Sequence, residues 1–280
     1  MFHLQSGGAM LDFGLNQVTM PNATFDEFLC VAKELGCIGV ELRNDLGRPF
    51  FDGIGPQEAY SCAKDHGLRI LGLSQVYPCN RWTENTATEV RALIEIAEAV
   101  GAETISLIPC NDGSGTDEKS RSQDLQTALE NCLPFLQDAN QVALVEPLGF
   151  TRSSLRLKSE LVQAVDALGA QDHIKLVHDT FHHALAGEDQ LFPKQTGIVH
   201  ISGVEANIPY DHMQDEHRIL VGGGDRLNNI TQIQALLDAG YTGAFSFECF
   251  APEVQGLARP ARAIRQSIDF ISSQLKQKAA

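Results

Sequence analysis

The sequence predicts one α/β domain folded as a closed, single (β/α)8 barrel, and three observations carry that expectation. Eight short apolar runs rich in Val, Ile and Leu alternate with longer stretches of helical periodicity, as in βα units around a parallel sheet. No Pro/Ser-rich linker, charge block or low-complexity segment divides the 280 residues. A barrel of this kind takes ~250 residues, which fits one domain over residues 11–280. An open, doubly wound sheet is the rival architecture. Against it, no G-x-G-x-x-G follows the first run, and the triplet Gly222-Gly223-Gly224 comes only after the seventh.

Taken in order, strands are expected at 12–16, 39–43, 70–75, 104–109, 142–147, 175–179, 197–202 and 243–248. The first helix opens on a capping box, Thr24 with Glu27, and carries Phe25, Phe28, Leu29, Ala32 and Leu35 on one face. Pro56 suits the first turn of the second, which ends near Gly67. Val90, Leu93, Ile94, Ile96 and Ala97 mark the third, closed by Gly101. Further helices are expected at 124–139, 158–168, 228–239 and 259–276, with a short sixth helix around 183–192 that Gly187 interrupts. Residues 1–10 lack a basic n-region and an apolar h-region, so they read as a loose tail and not as a secretory signal.

Composition narrows the function. The formal net charge of −15 repels nucleic acid and anionic membranes, because phosphate binding depends on Lys and Arg displacing counterions. No apolar run approaches the ~18 residues that span a bilayer. Seven cysteines, an odd number without a CxxC, indicate neither a disulfide framework nor a zinc knuckle and suit a reducing cytoplasm. Cys110 and Cys249, near strand ends, read as buried inert thiols.

The chemistry gathers where the strands end, the rim that carries active sites in such barrels. The fifth strand runs into Glu146, the sixth into Asp179, the seventh reaches His200 and the eighth Glu248. A carboxylate at the end of an apolar strand is costly to bury alone. One shared divalent cation (Mn, Mg, Co or Zn) compensates all three acids and suits the one imidazole. The bland alternative is that each acid is satisfied separately by a nearby Lys, Arg or backbone amide. His182 can turn back toward the same mouth, whereas His183 reads as an exposed loop histidine. Arg218 lies in the run Asp215-Glu216-His217-Arg218, which is either a ligand-binding segment or a solvated charge run. Asn16, Glu41, Arg43, Gln75, Asn80, Arg81 and Trp82 are further candidates to line the cup, and an exposed Trp82 could serve a homo-oligomer interface.

Six motifs stand out: Val145-Glu146-Pro147-Leu148-Gly149, Leu176-Val177-His178-Asp179-Thr180-Phe181-His182, Val199-His200-Ile201, Ser246-Phe247-Glu248-Cys249-Phe250-Ala251-Pro252-Glu253, Gly39-Val40-Glu41-Leu42-Arg43 and Asp215-Glu216-His217-Arg218. On them the chain resembles the xylose isomerase-like TIM barrel superfamily and, within it, the inosose isomerases (2-keto-myo-inositol isomerases). The similarity runs over about residues 11–270. It implies a metal held by Glu146, Asp179, His200 and Glu248, with Glu146 and Glu248 as catalytic acid and base. It also implies His182 and Arg218 as contacts to a sugar or cyclitol, and of the cup-lining candidates Arg43 and Gln75 are expected to join them. Two positions depart from the family: Ser202 and Gly203 replace acids after the metal histidine, and Val221 replaces a proline before the glycine turn.

The reaction so implied moves a carbonyl to the adjacent carbon through an enediol whose developing oxyanion a divalent ion stabilises. A ketose 3-epimerase or inosose dehydratase would use the same ligands, and a non-catalytic sugar-binding barrel would keep the metal alone. Apurinic-site endonucleases share the superfamily but use extra histidines at the third and fourth strand ends; here Gln75 and Pro109-Cys110 stand there, and the charge is wrong for DNA. Because a metal needs neutral His200, its affinity is expected to fall as pH drops through ~6.5, an ordinary histidine value.

Overall fold

The computed structural model describes residues 11–278, so the expected tail at 1–10 lies outside the described residues. Eight strands pair in parallel in chain order: β1 (Phe13–Asn16), β2 (Gly39–Arg43), β3 (Arg69–Val76), β4 (Thr104–Leu107), β5 (Val142–Val145), β6 (Ile174–Asp179), β7 (Thr196–Ile201) and β8 (Phe245–Phe247). β8 closes on β1, which makes a single (β/α)8 barrel. Around it run α1 (Phe25–Leu35), α2 (Pro56–Asp65), α3 (Glu84–Val100), α4 (Glu118–Asp138), α5 (Lys158–Leu168), α6 (Thr180–Ala186), α7 (Asn229–Asp238), α8 (Pro252–Gln255) and α9 (Pro260–Lys278). Among the described residues, no helix is long and apolar enough to cross a membrane.

Local chemistry sets most boundaries. In α1 the Thr24 hydroxyl accepts from the Glu27 amide and the Glu27 carboxylate accepts from the Thr24 amide, while Gly36 ends the helix at φ 73°. Phe25, Phe28, Leu29, Ala32 and Leu35 are its buried face, as the periodicity predicts. Three expectations need correction. α4 starts six residues earlier than position 124, because the Asp117 side chain caps it by accepting from the Ser120 amide. α6 occupies Thr180–Ala186 and not 183–192: Asp179 caps its start and Gly187, at φ 66°, terminates it. The short α8 was not anticipated; Pro252 opens it.

Strand alternation sends every second side chain into the barrel. Residues 41 and 43 of β2 share a face, as do residues 246 and 248. Bonds from Arg43 and Asn16 to Glu248, and from Glu41 to His200, show that this face is the interior. Toward the strand starts the interior changes character: Leu71, Leu144, Val177, Ile198 and Ala244 form an apolar plug. A cavity of about 140 Å³ lies at that end, lined by Asp12, Arg69, Gly197 and Gly243 among others. The buried carboxylates and imidazoles of the barrel interior lie toward the opposite rim.

The loop after β5 presses on the helix after β6. A Cβ added at Gly149 would stand 2.2 Å from the His182 carbonyl oxygen and 2.8 Å from Leu185 Cβ. Backbone cannot yield that much cheaply, so this contact requires glycine. Gly149→Ala is expected to lower stability by about 1–3 kcal/mol, read as a fall in denaturation midpoint. An unchanged midpoint would show that the loop is free to move.

Candidate metal centre

Each of the four residues that could hold a metal owes its place to a strand of the barrel. β5 stops one residue before Glu146, β6 finishes on Asp179, His200 sits inside β7, and Glu248 follows β8. Asp179 pairs in register with His200, and His200 with Ser246. All four side chains are buried, at 5%, 3%, 3% and 2% exposure. One oxygen or nitrogen from each lies within 4.8 Å of those from the other three.

The contacts inside this group are asymmetric. Glu248 is pinned: its Oε1 accepts from Arg43 Nη1 (3.1 Å) and Asn16 Nδ2 (3.3 Å), and its Oε2 accepts from Arg218 Nη2 (2.8 Å). Asp179 uses Oδ1 to cap α6 at the His182 amide (2.9 Å) and Oδ2 to accept from Arg218 Nη2. Glu146 is less committed. Among the described residues its Oε1 has no hydrogen-bond partner, and neither has His200 Nδ1, which lies 3.8 Å from it and 3.2 Å from Glu248 Oε2. Buried polar atoms are rarely left so.

Charge points the same way. Glu41, Glu146, Asp179 and Glu248 face Arg43 and Arg218, so carboxylates exceed guanidiniums by two within the buried shell. Burial pushes the Glu146 carboxyl up to about 7, helped by the charge of Glu248. Burial also raises Asp179, despite Arg218 beside it. For Glu248 burial is overcome by His200 and Arg218, which hold it well below the usual carboxylate range. For His200 burial is likewise overcome, here by Glu248 and Glu41, which hold the imidazole well above its ordinary value. Protons are thus retained where a cation would otherwise balance the site. Three carboxylates and an imidazole, two of them with unpartnered atoms, fit a divalent ion of the Mn, Mg, Co or Zn type.

The other candidates divide. His182 is 3% exposed on the first turn of α6, with Nε2 3.9 Å from Glu146 Oε1 and its ring against Phe150 and Phe181. Burial and the Arg218 charge push it down to about 3, so it is neutral. Arg218 is no solvated loop residue: it is 1% exposed, donates to Ser202 Oγ and both carboxylates, and lies over the rings of Phe181 and Phe250. It touches the cage directly, which a reach toward substrate alone does not describe. Arg43 is buried against Glu248, but Gln75 is half-buried and bonds Asp45, one step behind Arg43.

Asn16 and Glu41 also reach the centre. Asn80, Arg81 and Trp82 are engaged elsewhere, with Ser154 and Cys110, with Asp124 and Ser114, and stacked on Phe135. Trp82 is therefore half-buried and packed on the chain's own core. His183 is half-buried too, contrary to expectation, with Nδ1 2.9 Å from the buried Lys158 amine. Cys110 and Cys249 are buried as expected, and burial pushes the Cys249 thiol up to about 12. The reading by strand ends missed Phe181 and Phe250 as the walls around Arg218; only their adjacency to His182 and Glu248 in sequence hinted at it.

Residues 29–274 match the model of the xylose isomerase-like TIM barrel family. The chain belongs to that family. An inosose isomerase of Halalkalibacterium halodurans is 28% identical over 181 residues, and the match spans 61% of each protein. Among solved structures, a xylose isomerase domain-containing protein from Salmonella typhimurium LT2 is 29% identical with a TM-score of 0.86, over 98% of this chain and 100% of that one. An IolI protein carrying a zinc atom superposes with a TM-score of 0.82 at 17% identity, over 95% and 99% of the two chains. That likeness is one of fold.

The geometry revises the expected pH response. A group whose pKa is raised keeps its proton to higher pH, and both His200 and Glu146 must release theirs to ligate. Metal affinity, measured by chelator competition, is expected to go on rising with pH above ~6.5 instead of levelling there. An affinity flat from about pH 5 to 8 would remove His200 as a ligand.

Proposed function

We propose that the chain is a metal-dependent isomerase of a keto-cyclitol or ketose, of the inosose isomerase kind. One observation carries this reading: Glu146 Oε1 and His200 Nδ1, both unpartnered, face each other inside a buried, acid-rich cage. Glu146, Asp179, His200 and Glu248 would hold the ion. A divalent cation there supplies positive charge beside the oxygens of a substrate carbonyl and its neighbouring hydroxyl. The matched relative acts on an inosose by its name, in keeping with this substrate class.

The chain's own groups divide the remaining work. Moving a carbonyl requires taking a proton from one carbon and returning it to the next. Glu146, whose Oε1 makes no hydrogen bond among the described residues, is the less committed carboxylate and the candidate to accept the proton and give it back. Glu248 is the poorer carrier, because two arginines, Asn16 and His200 stabilise its ionised form. Such divergence between neighbouring carboxyls assigns the proton to Glu146 and the anchoring to Glu248. His182, neutral and with Nδ1 unpartnered, offers a donor or acceptor to a substrate oxygen.

Glu146→Gln is expected to keep metal while turnover drops ~10²- to 10⁴-fold. His182→Ala should leave metal content intact and lower kcat/KM by about 2- to 12-fold, the loss of one neutral hydrogen bond of ~0.5–1.5 kcal/mol. Glu248→Ala should lose metal and activity together. Reaction with inososes and ketoses in deuterated water identifies the chemistry. A shifted carbonyl supports the reading, whereas inversion at one carbon or loss of water would make the enzyme an epimerase or a dehydratase. Full turnover in Glu146→Gln would end its proposed role.

A further inference from the structure

We propose that Glu41 is a positioning residue that fixes the tautomer of His200 and so aims its Nδ1 lone pair into the cage. This rests on the metal reading above, and it concerns a residue no strand-end argument selects. Glu41 lies in the middle of β2, on the strand face that also carries Arg43, two residues on. The two side chains cross the barrel to different ligands: Arg43 Nη1 to Glu248 Oε1 at 3.1 Å, and Glu41 Oε2 to His200 Nε2 at 3.0 Å.

The assignment follows from what each atom can do. An ionised carboxylate only accepts hydrogen bonds, so the His200 nitrogen facing Glu41 must carry hydrogen. In the neutral ring the lone pair then belongs to Nδ1, which lies 3.2 Å from Glu248 Oε2 and 3.8 Å from Glu146 Oε1. The other tautomer would set a lone pair against the Glu41 carboxylate and point N–H at an incoming cation. Hydrogen bonding by the distal nitrogen is how a metal-binding histidine is held in one tautomer.

A general structural role explains Glu41 poorly. At 1% exposure it is costly to bury, yet among the described residues its Oε1 has no hydrogen-bond partner and its one side-chain hydrogen bond goes to His200. The strand spends a buried charge on one nitrogen of one ring.

The test compares wild type, Glu41→Gln and Glu41→Ala, each stripped and then titrated with zinc against a chelator. Histidine-selective ¹⁵N spectra of the zinc-loaded proteins report which His200 nitrogen bears hydrogen, with the signal assigned by its loss in His200→Gln. Glu41→Ala is expected to bind zinc ~10- to 100-fold more weakly and to lose the single Nε2–H signature. Glu41→Gln, whose amide oxygen still accepts from Nε2–H, should recover much of both, and it decides the matter alone if the alanine variant does not fold. Wild-type affinity and spectrum in both variants would overturn the proposal while leaving the metal reading intact. A wild-type protein that takes up no zinc, manganese, cobalt or magnesium would overturn both.

Discussion

The balance of charge inside the barrel mouth is the constraint on which the rest of the site depends. Four carboxylates and two guanidiniums occupy a volume that their own burial keeps dry, and there an unbalanced charge costs several kcal/mol. Each polar choice nearby is a response to that. Arg218 bridges Asp179 and Glu248, Arg43 and Asn16 hold the far oxygen of Glu248, and Glu41 takes the back of His200. What these contacts leave is two more carboxylates than guanidiniums, a surplus that protons on His200 and Glu146 offset, and two ligand atoms without a hydrogen bond among the described residues.

That demand reaches into the scaffold. Arg218 sits on the stretch between β7 and α7, and its backbone carbonyl accepts from Phe250 and Ala251 just after β8. Its side chain lies across the rings of Phe181 and Phe250. A lysine could not reproduce this, since it lacks the flat fork that serves two acids and stacks on aromatic rings. The segment from 203 to 227 is therefore tied down at its centre by the cage itself, with the Gly203–Ile219 bridge adding a second tie.

Much of this was legible in the chain because it depends on local pattern. β2 and α5 fall at their expected limits, since alternation, flanking glycines and a clear apolar stripe agree there. Glu146, Asp179, His200 and Glu248 could be picked out because a carboxylate or imidazole closing a run of Val and Leu has few innocent explanations. What stayed hidden depends on partners distant in sequence. Glu41 and His200 are 159 residues apart, and nothing in either segment names the other. Pattern alone left Arg218 open between a ligand-binding segment and a charge run for the same reason: its carboxylate partners in the cage lie 30 and 39 residues away. α6 was misplaced because its capping residue is also a candidate ligand, so the strand-end role masked the helix-start signal.

That double use of Asp179 has a mechanical side. One oxygen ends the hydrogen-bond ladder of α6 at the His182 amide, while the other takes part in the cage. Through one planar carboxyl group the cage and the first turn of the helix, with the imidazole of His182 on it, are held in a fixed relation.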